Sequence, residues 1–365
     1  MKLFKSLLVA PATLGLLAPV AATANEVTIN DFNPAEQLAI TNSRVDGLEA
    51  RLNNFEAGSF SETTTASFSA DFYLGTEDTD DGSTALHDAD DSVMAGYSFQ
   101  IDLNTSFTGE DSLDIAIDNG SATASTLGGK FGFDTGTALT VDGVTYTFPV
   151  GGATMVVGDS TDLSTAFTGA CTYSSFTDLT PDDCGTGNSM GAGGKGVTAA
   201  MSYAFDSGFS LAGGVTSGNT EILGDEADAF GLNAAYSADS YGVAVAYVSD
   251  DGGTATDTTY WGLNGYYTFD LASLSAGFET SDDGTTEKSG YFVGLSFPEV
   301  GPGTANIAAA TTGLFADSET ETLVYEASYS YALNDGMTIT PGIYITEVDG
   351  GDDLTGVAVK TSFSF

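Results

Sequence analysis

The chain has 365 residues and a formal net charge of −43 at pH 7, because 51 Asp and Glu residues stand against eight Lys and Arg residues. This charge repels nucleic-acid phosphates and anionic lipid headgroups, which argues against either as a binding partner. Charged residues nevertheless make up only 16% of the chain, whereas about 25% is usual in soluble proteins. Beyond the N-terminus no segment approaches the roughly 18 consecutive apolar residues of a membrane helix. A membrane protein of this composition would have to be a closed β-barrel.

Residues 1–24 predict a secretory signal peptide. Two early lysines precede an apolar stretch over residues 7–20, and Ala22-Thr23-Ala24 supplies a cleavage motif. The apolar stretch is too short for a membrane anchor, which is the alternative interpretation. The mature chain is therefore expected to begin at Asn25.

Residues 25–61 predict a helical segment. Apolar side chains recur there at alternating spacings of three and four, which is typical of heptads. Two to three heptads would make a short coiled coil that is marginal alone but could form between chains that are already held together. The alternative is an amphipathic linker. The proposed coil positions are Val45, Leu48, Leu52 and Phe55.

From residue 63 onwards, apolar and polar residues alternate at every second position, which is the pattern of β-strands. The segments lie near the nine to eleven residues or so that a tilted membrane strand needs. Residues 124–133 are an additional candidate strand. The sixteen predicted strands cover residues 66–75, 93–106, 112–118, 139–148, 152–158, 197–205, 209–216, 228–237, 241–249, 258–269, 271–280, 289–297, 304–311, 322–333, 337–347 and 356–365.

The connections between these strands alternate between tight turns, such as 206–208 and 334–336, and longer acidic loops, such as 250–257 and 347–355. Aromatic residues cluster beside the tight turns, and the chain ends on an aromatic pair, Phe363 and Phe365, which we interpret as an assembly signal. A secreted soluble β-protein, the alternative, has no reason to segregate its turns in this way. The pattern predicts an all-β, transmembrane antiparallel β-barrel of about sixteen strands over residues 62–365.

Side chains that could carry catalysis are scarce. His87, the only histidine, lies in an acidic loop without the partners that a Ser–His pair requires. Cys171 and Cys184 lie close together in one polar segment, and in an exported protein they predict a local disulfide rather than a zinc site. The sequence therefore predicts no enzyme activity, no cofactor and no metal centre.

Three stretches of the chain resemble cyanobacterial outer-membrane porins of the carbohydrate-selective (OprB-like) family. They are residues 43–65 (SRVDGLEARLNNFEAGSFSETTT), 105–113 (TSFTGEDSL) and 171–178 (CTYSSFTD). The resemblance implies a trimeric porin in the outer membrane, and sugar passage is suggested by the family name alone. Such porins typically carry a surface-layer-homology domain before the coil. Here residues 25–41 are too few for it, so we expect that domain to be missing.

The alternation places seven ionisable side chains on the lumenal face of the barrel, and six of them are acidic. Carboxylates that line a water-filled lumen bias a pore towards cations. The predicted pore-lining residues are Asp71, Asp102, Asp114, Asp118, Glu279, Glu326 and Lys360.

The longest loop, residues 159–196, is the third external loop, and in sixteen-stranded porins that loop folds inward as a constriction. The alternative is an external lid stapled by the disulfide. The candidate constriction residues are Asp159, Asp162, Asp178, Asp182 and Asp183.

These features predict a porin for passive diffusion of small hydrophilic solutes and ions, with cations preferred. The barrel contains no arginine, which argues against tight sugar selectivity. The alternative is a structural or adhesive barrel whose acidic external loops bind a partner or loosely hold Ca²⁺ or Mg²⁺. The loops lack EF-hand spacing, so a solvated anionic rim accounts for them equally well.

Overall fold

The computed structural model describes residue 44 and residues 64–79, 92–122, 127–191, 194–218, 228–251 and 256–365. The chain divides into two compact units, Met1–Ser59 and Phe60–Phe365. The predicted signal peptide, the four coil positions and His87 lie outside the described residues. Of the first unit only Arg44 is described, and it is helical.

Each of the sixteen predicted strands corresponds to one long strand of the structure, which confirms the predicted fold class. A further strand, β14, has two residues and pairs with β12. The strands are Thr64–Thr79 (β1), Met94–Thr105 (β2), Ser112–Gly120 (β3), Thr140–Val150 (β4), Ala153–Thr161 (β5), Gly196–Ala204 (β6), Phe209–Ser217 (β7), Asp228–Ser237 (β8), Tyr241–Asp250 (β9), Thr258–Thr268 (β10), Ser273–Asp282 (β11), Glu287–Val300 (β12), Gly303–Thr311 (β13), Phe315–Ala316 (β14), Leu323–Asn334 (β15), Met337–Thr346 (β16) and Leu354–Ser364 (β17).

The long strands form one closed antiparallel barrel. Each pairs with its neighbours along the chain, β13 pairs with β15, and β1 pairs with β17 to close the ring. At this closure Tyr73 lies opposite Lys360. Closure satisfies the backbone of both end strands, which a sheet in lipid requires because no water is present to pair with a free edge.

The two faces of the barrel wall differ as the alternation predicts. On β1, Phe72 points outward and is 46% exposed, whereas the adjacent Tyr73 points inward and is 5% exposed. Beside the short turns, outward aromatic side chains contact one another, as in the pair Tyr203 and Phe205, whose ring centroids lie 4.7 Å apart. An apolar outer band that ends in aromatic residues is typical of an outer-membrane barrel.

The C-terminal aromatic pair packs against the first strand. Phe363 makes an edge contact with Phe72, and the ring of Phe365 stacks on Phe68, both at 5.9 Å between centroids. The backbone N–H and C=O of Phe365 also pair with those of Phe68. The last residue therefore belongs to the closure of the barrel.

The additional strand considered over residues 124–133 is not formed in the described part of that segment. Gly129–Phe131 is a single 3₁₀ turn, and Leu127 and Phe131 are buried inside the barrel. Their apolar side chains pack onto inward-facing residues of the wall strands. The described residues include no helix with the length and apolar character of a membrane span.

Candidate functional site

Between β5 and β6, residues 162–191 lie inside the barrel, and we call them the lumenal loop. Near its start, the buried Leu163 packs so closely over β8 that a Cβ atom on Gly231 would lie 2.6 Å from its side chain. From there the loop follows the inner wall past β8, β10, β11 and β15 and reaches β17.

Inner-wall amides hold the first part of the lumenal loop. Asn233 accepts a hydrogen bond from the backbone N–H of Thr168 at 2.9 Å. Asn264 accepts one from the N–H of Ala170 at 2.8 Å and donates to the carbonyl of Asp183 at 2.9 Å. These two contacts fall next to Cys171 and Cys184, which form a disulfide. The side chain of Asn264 thus binds the residue that precedes each cysteine of the disulfide.

Two of the predicted pore-lining carboxylates, Glu279 and Glu326, are covered by the lumenal loop. Glu279 is fully buried and accepts hydrogen bonds from the N–H of Ser189 at 2.5 Å and from the side chain of Asn188 at 2.8 Å. Glu279 and Glu326 both lie on the lumenal face. They bind donors of the loop instead of lining the open pore, which departs from the prediction that they are pore-lining residues. A buried carboxylate needs such charge-assisted bonds to offset its lost hydration.

Glu326 accepts more hydrogen bonds from the lumenal loop than Glu279 does. Its Oε1 accepts from the hydroxyl of Tyr173 at 3.0 Å and the N–H of Phe176 at 2.9 Å. Its Oε2 accepts from the N–H and the hydroxyl of Thr177 at 3.0 and 2.8 Å. Four donors on one carboxylate fix residues 173–177 of the loop against β15.

Lys360 also departs from the prediction of an open pore-lining base. Its Nζ donates to the backbone carbonyl of Phe176 at 2.5 Å and lies 5.1 and 5.2 Å from the ring centroids of Phe176 and Phe131. Such cation–π contacts stabilise a partly desolvated ammonium group. The positive charge of Lys360 is therefore directed at the loop.

A cluster of aromatic and aliphatic side chains fills part of the lumen beside β1, β16 and β17. Sequence reasoning missed it, although apolar residues in an otherwise polar loop were a signal that could have revealed it. The cluster joins the loop after β3 to the lumenal loop, so both loops narrow the lumen. Its buried members are Tyr73, Leu127, Phe131, Phe176, Tyr344 and Ala358.

Carboxylates of β1, β2 and β3 line another part of the inner wall. Asp102 accepts from Gln100 at 2.6 Å, Asp114 from Ser112 at 2.7 Å, and Asp118 from Thr140 at 2.9 Å. Their partners are neutral neighbours within the wall, and each side chain keeps exposed surface. We call Asp71, Asp102, Asp114 and Asp118 the carboxylate wall.

The lumenal loop presents a second group of carboxylates. Asp162 caps a 3₁₀ turn by accepting from the N–H of Ser164 at 2.8 Å, and Asp178 and Asp182 are exposed. Partial desolvation by the surrounding residues and then the neighbouring Asp182 raise the pKa of Asp178, and the charge of Lys360 opposes this rise. Burial, followed by Asp182 and Asp162, raises the pKa of the half-buried Asp183. Desolvation of the charged form is the larger cause of both shifts, and repulsion among like charges adds to it.

The remaining predicted constriction residue, Asp159, lies in β5, outside the lumenal loop, and accepts from the N–H of Ser160 at 2.7 Å. It is exposed.

The barrel has four lysines, and in the described part of the chain two of them form ion pairs. Lys195 pairs with Asp142 at 2.7 Å and Lys288 with Glu319 at 3.5 Å. Among the described residues, no group of three or more His, Cys, Asp or Glu side chains is arranged to hold a metal ion. The lumen of the described barrel thus combines many carboxylates with little free positive charge.

A closed barrel with an apolar outer band and a polar lumen narrowed by an inward loop is the architecture of a membrane diffusion channel. The family model for Gram-negative porins matches residues 42–351. The chain belongs to this family: it is an outer-membrane channel for passive diffusion and not an enzyme.

Several solved porin structures are similar to this fold. The high-pH structure of Pseudomonas putida OprB has a TM-score of 0.63 at 12% identity, covering 83% of this chain and 94% of that chain. The anion-selective porin from Comamonas acidovorans has a TM-score of 0.60 at 14% identity, covering 83% and 99%. A double mutant of the Rh. blastica porin has a TM-score of 0.53 at 15% identity, covering 82% and 100%. A search of curated protein sequences finds no significant match.

Proposed function

We propose that this porin is a cation-preferring channel for small hydrophilic solutes and ions, and that the lumenal loop forms its constriction. The observation that carries the proposal is the presence of partly exposed carboxylates both on the wall, at Asp114 and Asp118, and on the loop, at Asp178 and Asp182. Neither group has a lysine as a hydrogen-bond partner in the described part of the chain. Carboxylates around an aqueous path raise the local concentration of cations and repel anions.

The sign of the selectivity has to come from these side chains, because a similar barrel, the Comamonas acidovorans porin, is anion-selective. Reversal potentials in planar bilayers under a KCl gradient measure the selectivity directly, and we expect cations to permeate better than anions. Replacing Asp114 and Asp118 by Asn should lower this preference. The matched control Asp352→Asn, in an exposed loop, should leave it unchanged. A preference for anions in the unmodified channel would refute the proposal.

Salt offers a second test of the same proposal. The Debye length falls from about 10 Å at 0.1 M to about 3 Å at 1 M ionic strength. The preference for cations should therefore weaken as the KCl concentration rises on both sides of the bilayer. A preference independent of salt would point to a steric filter instead.

For sugars, we propose passage without a dedicated binding site. The resemblance to carbohydrate-selective porins suggests sugar transport, but the barrel has no arginine to pair with sugar hydroxyls and only four lysines. Two of those lysines are in ion pairs, and a third binds the loop. Liposome swelling should show sugar entry, while sugars should not block the ionic current through single channels.

Export and assembly complete the proposal. Residues 1–24 act as a cleaved signal peptide, residues 25–61 form a coil between three chains, and Phe363 and Phe365 serve as the assembly signal. Outer-membrane protein should begin at Asn25 on N-terminal sequencing. It should migrate as a trimer on unheated SDS gels and as a monomer after heating. The alternative of a structural or adhesive barrel predicts no stepwise conductance.

A further inference from the structure

One residue of the lumenal loop, Phe176, is held at both of its backbone groups. Its N–H donates to Oε1 of Glu326 at 2.9 Å, and its carbonyl accepts from Nζ of Lys360 at 2.5 Å. Glu326 belongs to β15 and Lys360 to β17, so the two charges hold the same residue from strands on either side of β16.

The side chain of Phe176 is held by the intervening strand. Its ring is 1% exposed and lies over Gly342 of β16, where a Cβ atom would come within 2.6 Å of the ring. Three consecutive strands therefore contact Phe176, and only glycine at position 342 leaves room for the ring.

The position of Asp178 follows from this arrangement. Asp178 is two residues beyond Phe176, and its N–H donates to the carbonyl of Lys130 at 2.8 Å in the loop after β3. Its carboxyl group lies 3.1 Å from the Cβ position of Gly132. The exposed carboxylate of Asp178 therefore lies between the lumenal loop and the loop after β3. Both loops pack into the aromatic cluster around Phe176.

We propose that Glu326 and Lys360 are positioning residues that clamp Phe176 and thereby fix Asp178 in the constriction. Neither charge acts on the permeating ion directly. Glu326 is occupied by four donors of the loop, and Lys360 is occupied by a carbonyl and two aromatic rings. This inference rests on the proposed cation-preferring channel and adds to it the residues that set its geometry.

The substitution Lys360→Met separates the clamp from a pore-lining role, because the two roles predict opposite signs. A lysine that faced the permeating ions would repel cations, so its removal would raise the ratio of cation to anion permeability. A clamp lysine holds Asp178 in place, so its removal should lower that ratio and increase the open-channel current noise. An unchanged or raised ratio overturns the proposal.

Three further variants sharpen the test. Lys360→Arg keeps a donor and a cation for the two rings, and it should restore most of the selectivity. Lys195→Met removes a lysine of an exposed ion pair and is the matched control, for which we expect no fall in the ratio. Glu326→Gln should add little to the effect of Lys360→Met when the two are combined, since both release the same residue.

Gly342→Ala tests the clamp without changing any charge. The added methyl group would displace the ring of Phe176, so the permeability ratio should fall as in Lys360→Met. A pore-lining role for Lys360 predicts no change, and that result would also overturn the proposal. Heat-shifted migration on SDS gels verifies that each variant is a folded barrel.

The failure of this inference differs from the failure of the proposed function. Absent conductance or anion preference in the unmodified chain would refute the function itself. A cation-preferring channel that keeps its ratio in Lys360→Met and Gly342→Ala would refute the clamp alone.

Discussion

Asn264 and the disulfide should act as overlapping restraints on the lumenal loop. The disulfide joins Cys171 to Cys184, and the side chain of Asn264 binds the backbone of the two residues that precede these cysteines, Ala170 and Asp183. Either the disulfide or Asn264 alone keeps the segments around Cys171 and Cys184 together beside β10. We therefore expect the loop to tolerate the loss of one restraint far better than the loss of both.

The size of the effect follows from what each change leaves behind. Asn264→Ala removes the partners of a buried N–H and a carbonyl, and each unpaired buried group costs about 1–3 kcal/mol. The disulfide closes a ring with a sequence separation of 13 residues, worth about 3 kcal/mol in the chain-entropy model. At about 1.4 kcal/mol per factor of ten, loss of the disulfide raises the fraction of released loop by about two orders of magnitude, and loss of both Asn264 contacts raises it by roughly one and a half to four. Since the disulfide and Asn264 restrain the same residues, losing both should release the loop by more than the sum of the two separate effects.

Single-channel recording measures this directly, because a released loop should produce a state of altered conductance. Asn264→Ala should show a marked rise in the occupancy of that state when reductant is added, and the unmodified channel a much smaller rise. Asn306→Ala is the matched control: this inner-wall amide is also buried, and among the described residues its oxygen has no hydrogen-bond partner. If reductant affects Asn264→Ala and the unmodified channel equally, the two restraints are independent and the reasoning fails.

Three further predictions address pH, turn stability and loop packing. Because the pKa values of Asp178 and Asp183 are raised, both should lose their charge on acidification before ordinary carboxylates, which have a pKa of about 3.9. Reversal potentials should show cation preference falling already above pH ~4, and a preference that holds down to pH ~4 would contradict this. The hydrogen bond from Tyr146, with others from Thr108 and Ser106, holds the pKa of Asp111 well below its usual range. Asp111→Asn should therefore lower the unfolding temperature in detergent above pH ~4. The difference should shrink as the pH falls below ~4, because the carboxyl group of the unfolded chain then binds a proton while that of the folded chain stays ionised; equal loss at all pH values would argue against this charge effect. Gly277→Ala would place a Cβ against the carbonyl of Cys184, so it should displace the lumenal loop and change the single-channel conductance, and an unaltered conductance would count against the close packing described above.

The strands and their faces could be predicted because they depend on local order. Alternation with period two assigns each residue to one face of a strand wherever it lies in the chain. It predicts a lumenal position for Asp118, Glu279, Glu326 and Lys360 without reference to any strand pairing. The short turns and the aromatic residues beside them likewise indicated the two rims of the barrel.

The loop after β3 could not be predicted in the same way. Residues 124–133 contain enough apolar side chains to suggest a strand, but Leu127 and Phe131 are buried against Tyr73 and Tyr344 inside the lumen. The partners lie far away along the chain, so no local pattern separates a strand in the wall from a loop packed onto its inner face.

By itself, then, the sequence determined that this chain is a membrane barrel with an acidic lumen, because the repeat of side chains along each strand is a local property. Only the tertiary structure decided which acidic residues face the open lumen. Asp118 and Glu326 occupy equivalent places in the alternation, yet Asp118 keeps exposed surface and Glu326 is 4% exposed beneath the loop. The difference arises because the donors of Glu326 come from residues about 150 positions away, a distance that no periodicity can encode.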